Sequence, residues 1–558
     1  MFILDLNSFK DLFSGTNLYF MLIASVVNAV LIFYASLKFV LTLQQTGYKG
    51  KKYFKWLASP ETPYLSRLML LCLMGFLFFL VLNTCFTPVM GKDVASYIGF
   101  ASYLLFTIVY INTESSVNAK VPLRKTKRLV RLCITYAILL CAISFGLLVL
   151  LNYLAYVIGD EMVAILRYSL ICGMPILAPY ILFLAYAINE PVEEFIRRRY
   201  VRIATNKIAK ADVIKIGITG SYAKTSVKEI LKTLFSQKYR VLATPKSYNT
   251  PLGIALSVKG LDGTHDIFIA EMGARSKGDI SSLAKIVKPD FAVITGINNQ
   301  HLETFGSIEN IKATKYELLE NLSENGVAFF SADNDGSLEM YEKFQGEKYL
   351  AGRNGSNNLV TATDLTVTPT GTKFTLDFGG KEKVECSTIL LGRHNVTNIC
   401  LAASVAYKVG LTPEEIAQGI NRLVTVEHRL ELMPNNRNII IIDDSYNSNV
   451  DGMQAAMEVL DTFKGRKIVL TPGLVELGKD ENVANFEVGK ILASHADVVI
   501  VIGKHNAEMI INGLTEKGFP KENILFAKSL NKGNEMLNEI LLEGDVVLFE
   551  NDLPDNYN

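Results

Sequence analysis

A lysine followed by two hydroxyl residues, Lys224-Thr225-Ser226, stands just after a glycine-bearing turn, Gly217-x-x-Gly220. An ammonium, a hydroxyl and the free N–H groups of a helix start can together hold a polyphosphate and its divalent cation. Ile218 and Ala223 occupy positions where the general phosphate-loop pattern carries glycine. The stretch reads either as a nucleotide loop or as an ordinary strand-to-helix turn. Two further groups of polar residues bear on that choice. Glu271 closes the apolar run 267–271, and Asn298, Asn299 and His301 follow the run 291–295. With the Thr225 hydroxyl, the Glu271 carboxylate and the His301 imidazole form a ligand set for Mg²⁺. The plain alternative for each is a solvated strand end.

Positioning these groups requires a sheet whose strands end side by side. From Asp212 onward apolar runs alternate with helical spacing, which predicts a mainly parallel sheet with helices on its faces. The predicted strands are 213–218, 267–271 and 291–295, and ligand-bearing residues lie just past the carboxyl ends of such strands. Before residue 200 the composition is different. About five long apolar runs, 18–43, 68–90, 94–111, 129–158 and 163–188, each reach or nearly reach the ~20 residues that span a bilayer. Lys and Arg cluster after the first, third and fifth runs, and the alternate loops are poor in both. The positive-inside rule then predicts a multi-pass protein of the plasma membrane with its N-terminus outside and everything after residue 195 cytoplasmic. Residues 190–210 read as a basic linker at the inner leaflet of the lipid bilayer.

The 558 residues have a formal net charge of +1, which supports no nucleic-acid partner, and a hydrophobic fraction of 49%, high for a soluble enzyme. Seven cysteines, none in a CxxC pair, indicate neither a disulfide framework nor a zinc site.

The loop at 218–230 resembles the ATP loop of the bacterial Mur ligases, in particular the MurF type, which joins D-Ala-D-Ala to UDP-MurNAc-tripeptide. Further likenesses follow in the same order: TPKSYNTPLGI (244–254), IAEMGA (269–274), HLETFGSIENIKATKYELL (301–319), GRHNVTN (392–398), IDDSYNSN (442–449) and PGLVELG (472–478). The resemblance implies a multi-domain chain. An α-helical membrane domain (1–205) would precede an α/β P-loop Mur-ligase central domain (206–425) and an α/β Rossmann-like C-terminal domain (426–558).

It also implies roles. Lys224 would hold the β- and γ-phosphates of ATP within a loop built by Gly220, Ser221, Ala223, Thr225 and Ser226. Thr225 and Glu271 would hold one Mg²⁺, His301 a second, and Lys315 would carry a carbamate near the metals. Asn395 and Asn398 would meet the adenine, with His394 orienting that turn. Arg429 would reach the phosphates, and Asp444 with Tyr446 the ribose side. Asn249, Thr250, Asn447, Asn449 and Glu476 would face substrate. The implied reaction is ATP-dependent amide formation through an acyl phosphate, joining an envelope precursor with a free carboxylate to an amino-acid or peptide amine.

Departures from the family pattern are Ala223 and His428 for glycine, Thr250 for asparagine, and a C-terminal LFENDLPDNYN where MurF-type enzymes carry a Lys-Gly-Ser-Arg-like stretch. The UDP-sugar-binding N-terminal domain of MurF also has no counterpart, and the membrane domain stands in its place. A lipid-linked carboxylate substrate is therefore expected. The competing readings are a poly-γ-glutamate-synthase-like ligase and a non-catalytic ATP-binding membrane scaffold. Phosphate release that needs both an amine and a carboxylate separates the ligases from the scaffold. An ATP-driven transporter ranks last, because no second nucleotide signature appears.

Overall fold

The computed structural model describes residues 15–59, 64–90, 92–114, 123–158, 160–245, 248–300, 302–355, 357–435, 437–446, 448–475 and 477–551. His301, Asn447 and Glu476, three of the residues singled out above, lie outside the described residues. The chain divides into two compact units, Met1–Ile196 and Arg197–Asn558.

The first unit is helical. Three helices among the described residues, Arg67–Phe86, Lys127–Leu154 and Gly173–Lys210, are long and apolar enough to cross a membrane. A bent pair, Met21–Ala35 and Leu37–Gln45, makes a fourth if it is counted as one span. The expected run 18–43 is thus broken, by 48°. The break falls at Ser36, whose hydroxyl donates to the Ile32 carbonyl one turn back (2.5 Å) and accepts from the Tyr136 hydroxyl (2.8 Å). Serine that back-bonds in this way bends apolar helices. The run 94–111 lies in the helix Lys92–Glu114, which is not among these four. Polar groups link the bundle inside: the Tyr103 hydroxyl donates to Asn28 Oδ1 (3.0 Å), and Asn28 Nδ2 donates to Ser144 (3.3 Å). Such contacts between apolar helices contribute about 0.6 kcal/mol each. Residues 190–210, expected as a basic, partly amphipathic linker, are helical and lie within the helix Asp160–Lys210.

The second unit holds two sheets. The nine-stranded sheet runs β1 (Ile214–Thr219), β2 (Val241–Ala243), β3 (Ile267–Glu271), β4 (Phe291–Ile294), β5 (Val327–Ser331), β6 (Lys348–Gly352), β7 (Val360–Thr368), β8 (Gly371–Asp377) and β9 (Lys383–Thr388). Its spatial order is β2-β3-β1-β4-β5-β6-β7-β8-β9, parallel as far as β7 and antiparallel beyond. All five residues of β3 and of β5 are buried, as expected of strands covered on both faces. On one face the helix Lys224–Phe235 packs Val227, Ile230, Leu231 and Leu234 onto Ile216 and Ile218. On the other, Ala204 and Ile208 join Ile254, Ala255 and Phe268. The three strands read from sequence, β3, β1 and β4, are neighbours, so their polar ends meet at one edge.

The second sheet comprises β10 (Glu431–Met433), β11 (Ile440–Asp444), β12 (Lys467–Thr471), β13 (Val498–Ile502), β14 (Ile524–Ala527) and β15 (Val546–Glu550). Its order is β10-β11-β15-β12-β13-β14, parallel except for β10. The register pairs Asp444 with Glu550 at the strand ends.

Candidate active site

The loop after β1 is shaped by contacts that only particular residues allow. A side chain on Gly220 would stand 2.0 Å from the Thr295 hydroxyl at the end of β4, so glycine is required there. Ser221 is buried, and its hydroxyl accepts from the Asn298 N–H (3.2 Å), tying the loop to the neighbouring strand end. Ala223 sits at the helix N-cap with φ 62°, in the left-handed region. His428 has φ 61° and Leu430 φ 45°, one on each side of Arg429. Both departures from the family's glycines therefore fall where glycine has a conformational reason to be.

At His428 the strain is held by charge. Nδ1 lies 2.7 Å from Asp443 Oδ2, the backbone N–H donates to Glu431 (3.1 Å), and the bond to Asp443 raises the imidazole pKa. Ala223 has no such brace. Ala223→Gly should raise stability by about 0.5–1 kcal/mol, the left-handed penalty less the entropy of a freer unfolded chain. Thermal unfolding of the two proteins checks this, and a lower midpoint for the glycine variant would contradict it.

Lys224 folds back onto its own loop, donating from Nζ to the carbonyls of Gly220 (2.8 Å) and Ser221 (3.0 Å). Loss of hydration in the loop pushes its ammonium down to about 8, with Glu271 opposing and Arg429 adding to the shift. The Thr225 hydroxyl donates to Glu271 Oε2 (3.0 Å), Asn249 Nδ2 donates to Oε1 (3.2 Å), and Glu271 is 2% exposed. The Thr225 hydroxyl and the Glu271 carboxylate offer only oxygen ligands beside a phosphate-sized loop, a pair that fits a hard ion such as Mg²⁺. Lys315 is 3% exposed, and burial pushes it down to about 7, the Lys224 charge adding to the effect.

The loop residues Ala223 and Ser226, on either side of Lys224 and Thr225, border a cleft of about 820 Å³, whereas Lys224, Thr225, Glu271 and Lys315 are not among the residues that line it. Ala223, Ser226, Asn395, Asn398, Arg429, Asp444 and Asn449 line it together. At one end the turn into the helix Arg393–Val409 starts at Gly392 (φ 90°), and the buried Nδ1 of His394 has no hydrogen-bond partner. Burial holds that imidazole neutral by pushing its pKa down to about 4, which leaves it unsuited to carry a proton. At the other end the Arg429 guanidinium lies 4.6 Å from the Tyr446 ring centre, and the Asp444 carboxylate accepts from Leu430 N–H (3.2 Å). Burial raises both Asp444, to about 6, and its strand neighbour Glu550.

Two of the residues expected to face substrate also have local duties. Thr250 and Asn449 cap helices, accepting from the N–H of Gly253 (3.2 Å) and Gly452 (3.0 Å).

Sequence reasoning missed two features. Asp333, two residues past β5, accepts from the backbone N–H groups of Arg353 and Asn354 (3.0 and 2.9 Å) and from the Thr397 hydroxyl, and Asp333, Arg353 and Thr397 all line the cleft. Its position past a strand end was the available signal. Lys228, fully buried, sits 3.2 Å from Glu271 Oε2. Its spacing from Leu231 and Phe235 puts it on the buried stripe of its helix.

Comparison with known proteins gives this geometry a family. The description "Mur ligase middle domain" matches residues 218–406 and "Mur ligase, glutamate ligase domain" matches residues 428–550. The UDP-N-acetylmuramoyl-tripeptide–D-alanyl-D-alanine ligase of Escherichia coli (strain K12) is 31% identical over 332 residues, covering 59% of this chain and 73% of that protein. The chain belongs to the Mur ligase family. It is an ATP-dependent ligase of the MurF-like kind. The Bacillus subtilis (strain 168) ligase of the same name is 30% identical, over 60% of this chain and 72% of its own. Among solved structures, MurF from Thermotoga maritima in complex with ADP matches with a TM-score of 0.57 and 27% identity, over 64% of this chain and 80% of that one. MurF from Acinetobacter baumannii shares the fold, with a TM-score of 0.59 over 64% of this chain and 77% of its own, at 24% identity. The two family matches thus fall within the second unit.

Proposed function

We propose that this Mur ligase is a membrane-anchored amide ligase of cell-envelope biosynthesis that activates a carboxylate as an acyl phosphate. One observation carries the reading: Ala223 and Ser226 of the loop, Asn395 and Asn398 of the helix start, and Arg429 and Asp444 from the second sheet's side border one cleft. The proposed organisation is a membrane domain at 1–205, an ATP-binding central domain at 206–425 and a C-terminal domain at 426–558. Three to four candidate spans and the charged loops between them support anchoring with the ligase part in the cytoplasm.

In the proposed reaction a substrate carboxylate oxygen attacks the γ-phosphorus of ATP. The bond from that phosphorus to the β–γ bridging oxygen breaks, and ADP leaves. The amine then adds to the acyl carbonyl, loses a proton, and the tetrahedral intermediate expels inorganic phosphate as the amide forms. Lys224 and Arg429 bind the phosphates, Asn395 and Asn398 orient the adenine, and Asp444 with Tyr446 meets the ribose. Thr225 and Glu271 would hold one Mg²⁺, with His301 and a carbamate on Lys315 serving a second. Bound there, the ions neutralise phosphate charge as it develops. Asn249 takes the substrate side.

The substrate assignment follows from the helical unit, which brings the ligase to a bilayer. The carboxylate donor is taken to be a lipid-linked muramoyl peptide, the amine an amino acid or short peptide. The test supplies detergent-purified full-length protein, Mg-ATP and D-Ala-D-Ala with either UDP-MurNAc-tripeptide or its lipid-linked counterpart. Amide formation at least about tenfold more efficient on the lipid-linked donor is expected. Equal or better turnover of the soluble nucleotide sugar would overturn the lipid-linked assignment.

A further inference from the structure

The reaction above gives no duty to Lys228. It lies one helical turn after Lys224, on the face turned to the sheet, and its side chain is 0% exposed. Its Nζ stands 3.2 Å from Glu271 Oε2 and 3.4 Å from Glu229 Oε1. Oε2 of Glu271 also accepts from the Thr225 hydroxyl (3.0 Å), and Oε1 accepts from Asn249 Nδ2 (3.2 Å). Both oxygens of the carboxylate that would hold a cation are therefore already engaged, one of them by a full positive charge.

The charges around the loop mouth lean the same way. Lys224, in the same loop, also feels the Glu271 charge, which opposes the loss of its proton. A bare divalent cation entering here meets the ammonium groups of Lys224 and Lys228 and a carboxylate that is already neutralised. A cation entering with nucleotide brings the negative charge of the phosphates with it.

We infer that Lys228 is a positioning residue that holds Glu271 in place and neutralises it, so that the site takes up a divalent cation only together with nucleotide. The inference rests on the proposed assignment of Thr225 and Glu271 as cation ligands. It extends that assignment from which groups hold the cation to when they can. A merely structural Lys228 would affect stability but not the order in which cation and nucleotide bind.

The experiment uses full-length protein in detergent with Mn²⁺ as the probe, followed by the loss of its free electron-paramagnetic-resonance signal, first without nucleotide and then with ADP. Wild type should bind Mn²⁺ only when ADP is present. Lys228→Met, similar in length but without charge, should bind Mn²⁺ in the absence of nucleotide at least about tenfold tighter than wild type. Lys228→Gln, which keeps a donor for Glu271, should move the same way, and it supplies the result if the Met variant does not fold. Lys228→Arg should behave like wild type.

Wild type that loads Mn²⁺ equally well with and without ADP would overturn the inference. So would Met and Gln variants that both leave nucleotide-free binding unchanged. Glu271→Gln separates the two levels. If it leaves the ADP-supported signal intact, the cation site itself is wrongly assigned. If it abolishes that signal while the Lys228 variants change nothing, only the role of Lys228 falls.

Discussion

Lys224→Met is expected to lower turnover about a thousandfold with little change in stability, the largest effect of any single substitution considered. Removing one charged or dipolar donor aimed at developing charge typically costs ~3–4 kcal/mol of transition-state stabilisation. Lys224 is placed for that duty, because its Nζ rests on the Gly220 and Ser221 carbonyls at 2.8 and 3.0 Å in the loop a phosphate would occupy. Its titration adds a pH signature. Loss of hydration holds the ammonium near 8, so the lysine is charged below that pH and neutral above it. Nucleotide affinity of the free enzyme should therefore fall as pH rises through about 8, and binding above that pH should take up a proton. Titrating ADP against wild type and Lys224→Met from neutral to alkaline pH checks both points. The same pH slope in the Met variant would assign it to another group.

The second large effect concerns Lys315. An unmodified lysine here would place a cation beside Lys224 and the proposed metal ligands, against the electrostatics of an Mg²⁺ site. Burial pushes Lys315 down to about 7, so much of it is a neutral amine at neutral pH. A neutral amine adds CO₂ to form an N–C bond and releases one proton, which turns the potential cation into an anionic ligand. Wild-type activity should fall about tenfold in CO₂-free buffer below pH 7, where the ammonium dominates, and recover with bicarbonate. Lys315→Arg, which cannot form the carbamate and keeps its charge, should lose about a hundredfold and gain nothing from bicarbonate. A carbamate resonance after addition of ¹³C-bicarbonate checks the chemistry directly. Full activity of the Arg variant would remove the carbamate from the mechanism.

Much of the ligase part was legible in the residues because its features are local. β1, β3 and β4 are short apolar runs, each followed by polar groups, and their adjacency follows from parallel packing. The loop glycine announced itself, and Gly220 has no room for any side chain. What escaped the reading is made by distant segments. Asp333, Arg353 and Thr397 meet only because β5 and β6 pair and the helix Arg393–Val409 starts beside them. Lys228 was not singled out in the sequence, although its spacing from Leu231 and Phe235 places it on the apolar stripe of its helix. In the helical unit, hydropathy reports how apolar a run is but not whether a serine bends it, so the break at Ser36 was invisible. Composition marked 190–210 as basic and partly amphipathic but did not show what its apolar residues meet, which is a buried cluster where Ala204 and Ile208 join Ile254 and Ala255.

The two left-handed residues sharpen one point about the loop and hinge. Ala223 and His428 depart from the family pattern at positions where their backbones have φ near 60°, yet only His428 has a carboxylate partner to hold it. Ala223 therefore holds a left-handed backbone that glycine would adopt without a side-chain penalty, the strain that Ala223→Gly would release.

The central claim, that this cleft activates a carboxylate with ATP, is tested most directly by oxygen transfer. A muramoyl tripeptide, free or lipid-carried, is labelled with ¹⁸O in its terminal carboxylate and turned over with Mg-ATP and D-Ala-D-Ala. Activation as an acyl phosphate requires that the released phosphate carry one carboxylate oxygen per amide formed. Unlabelled phosphate accompanying amide formation would contradict it.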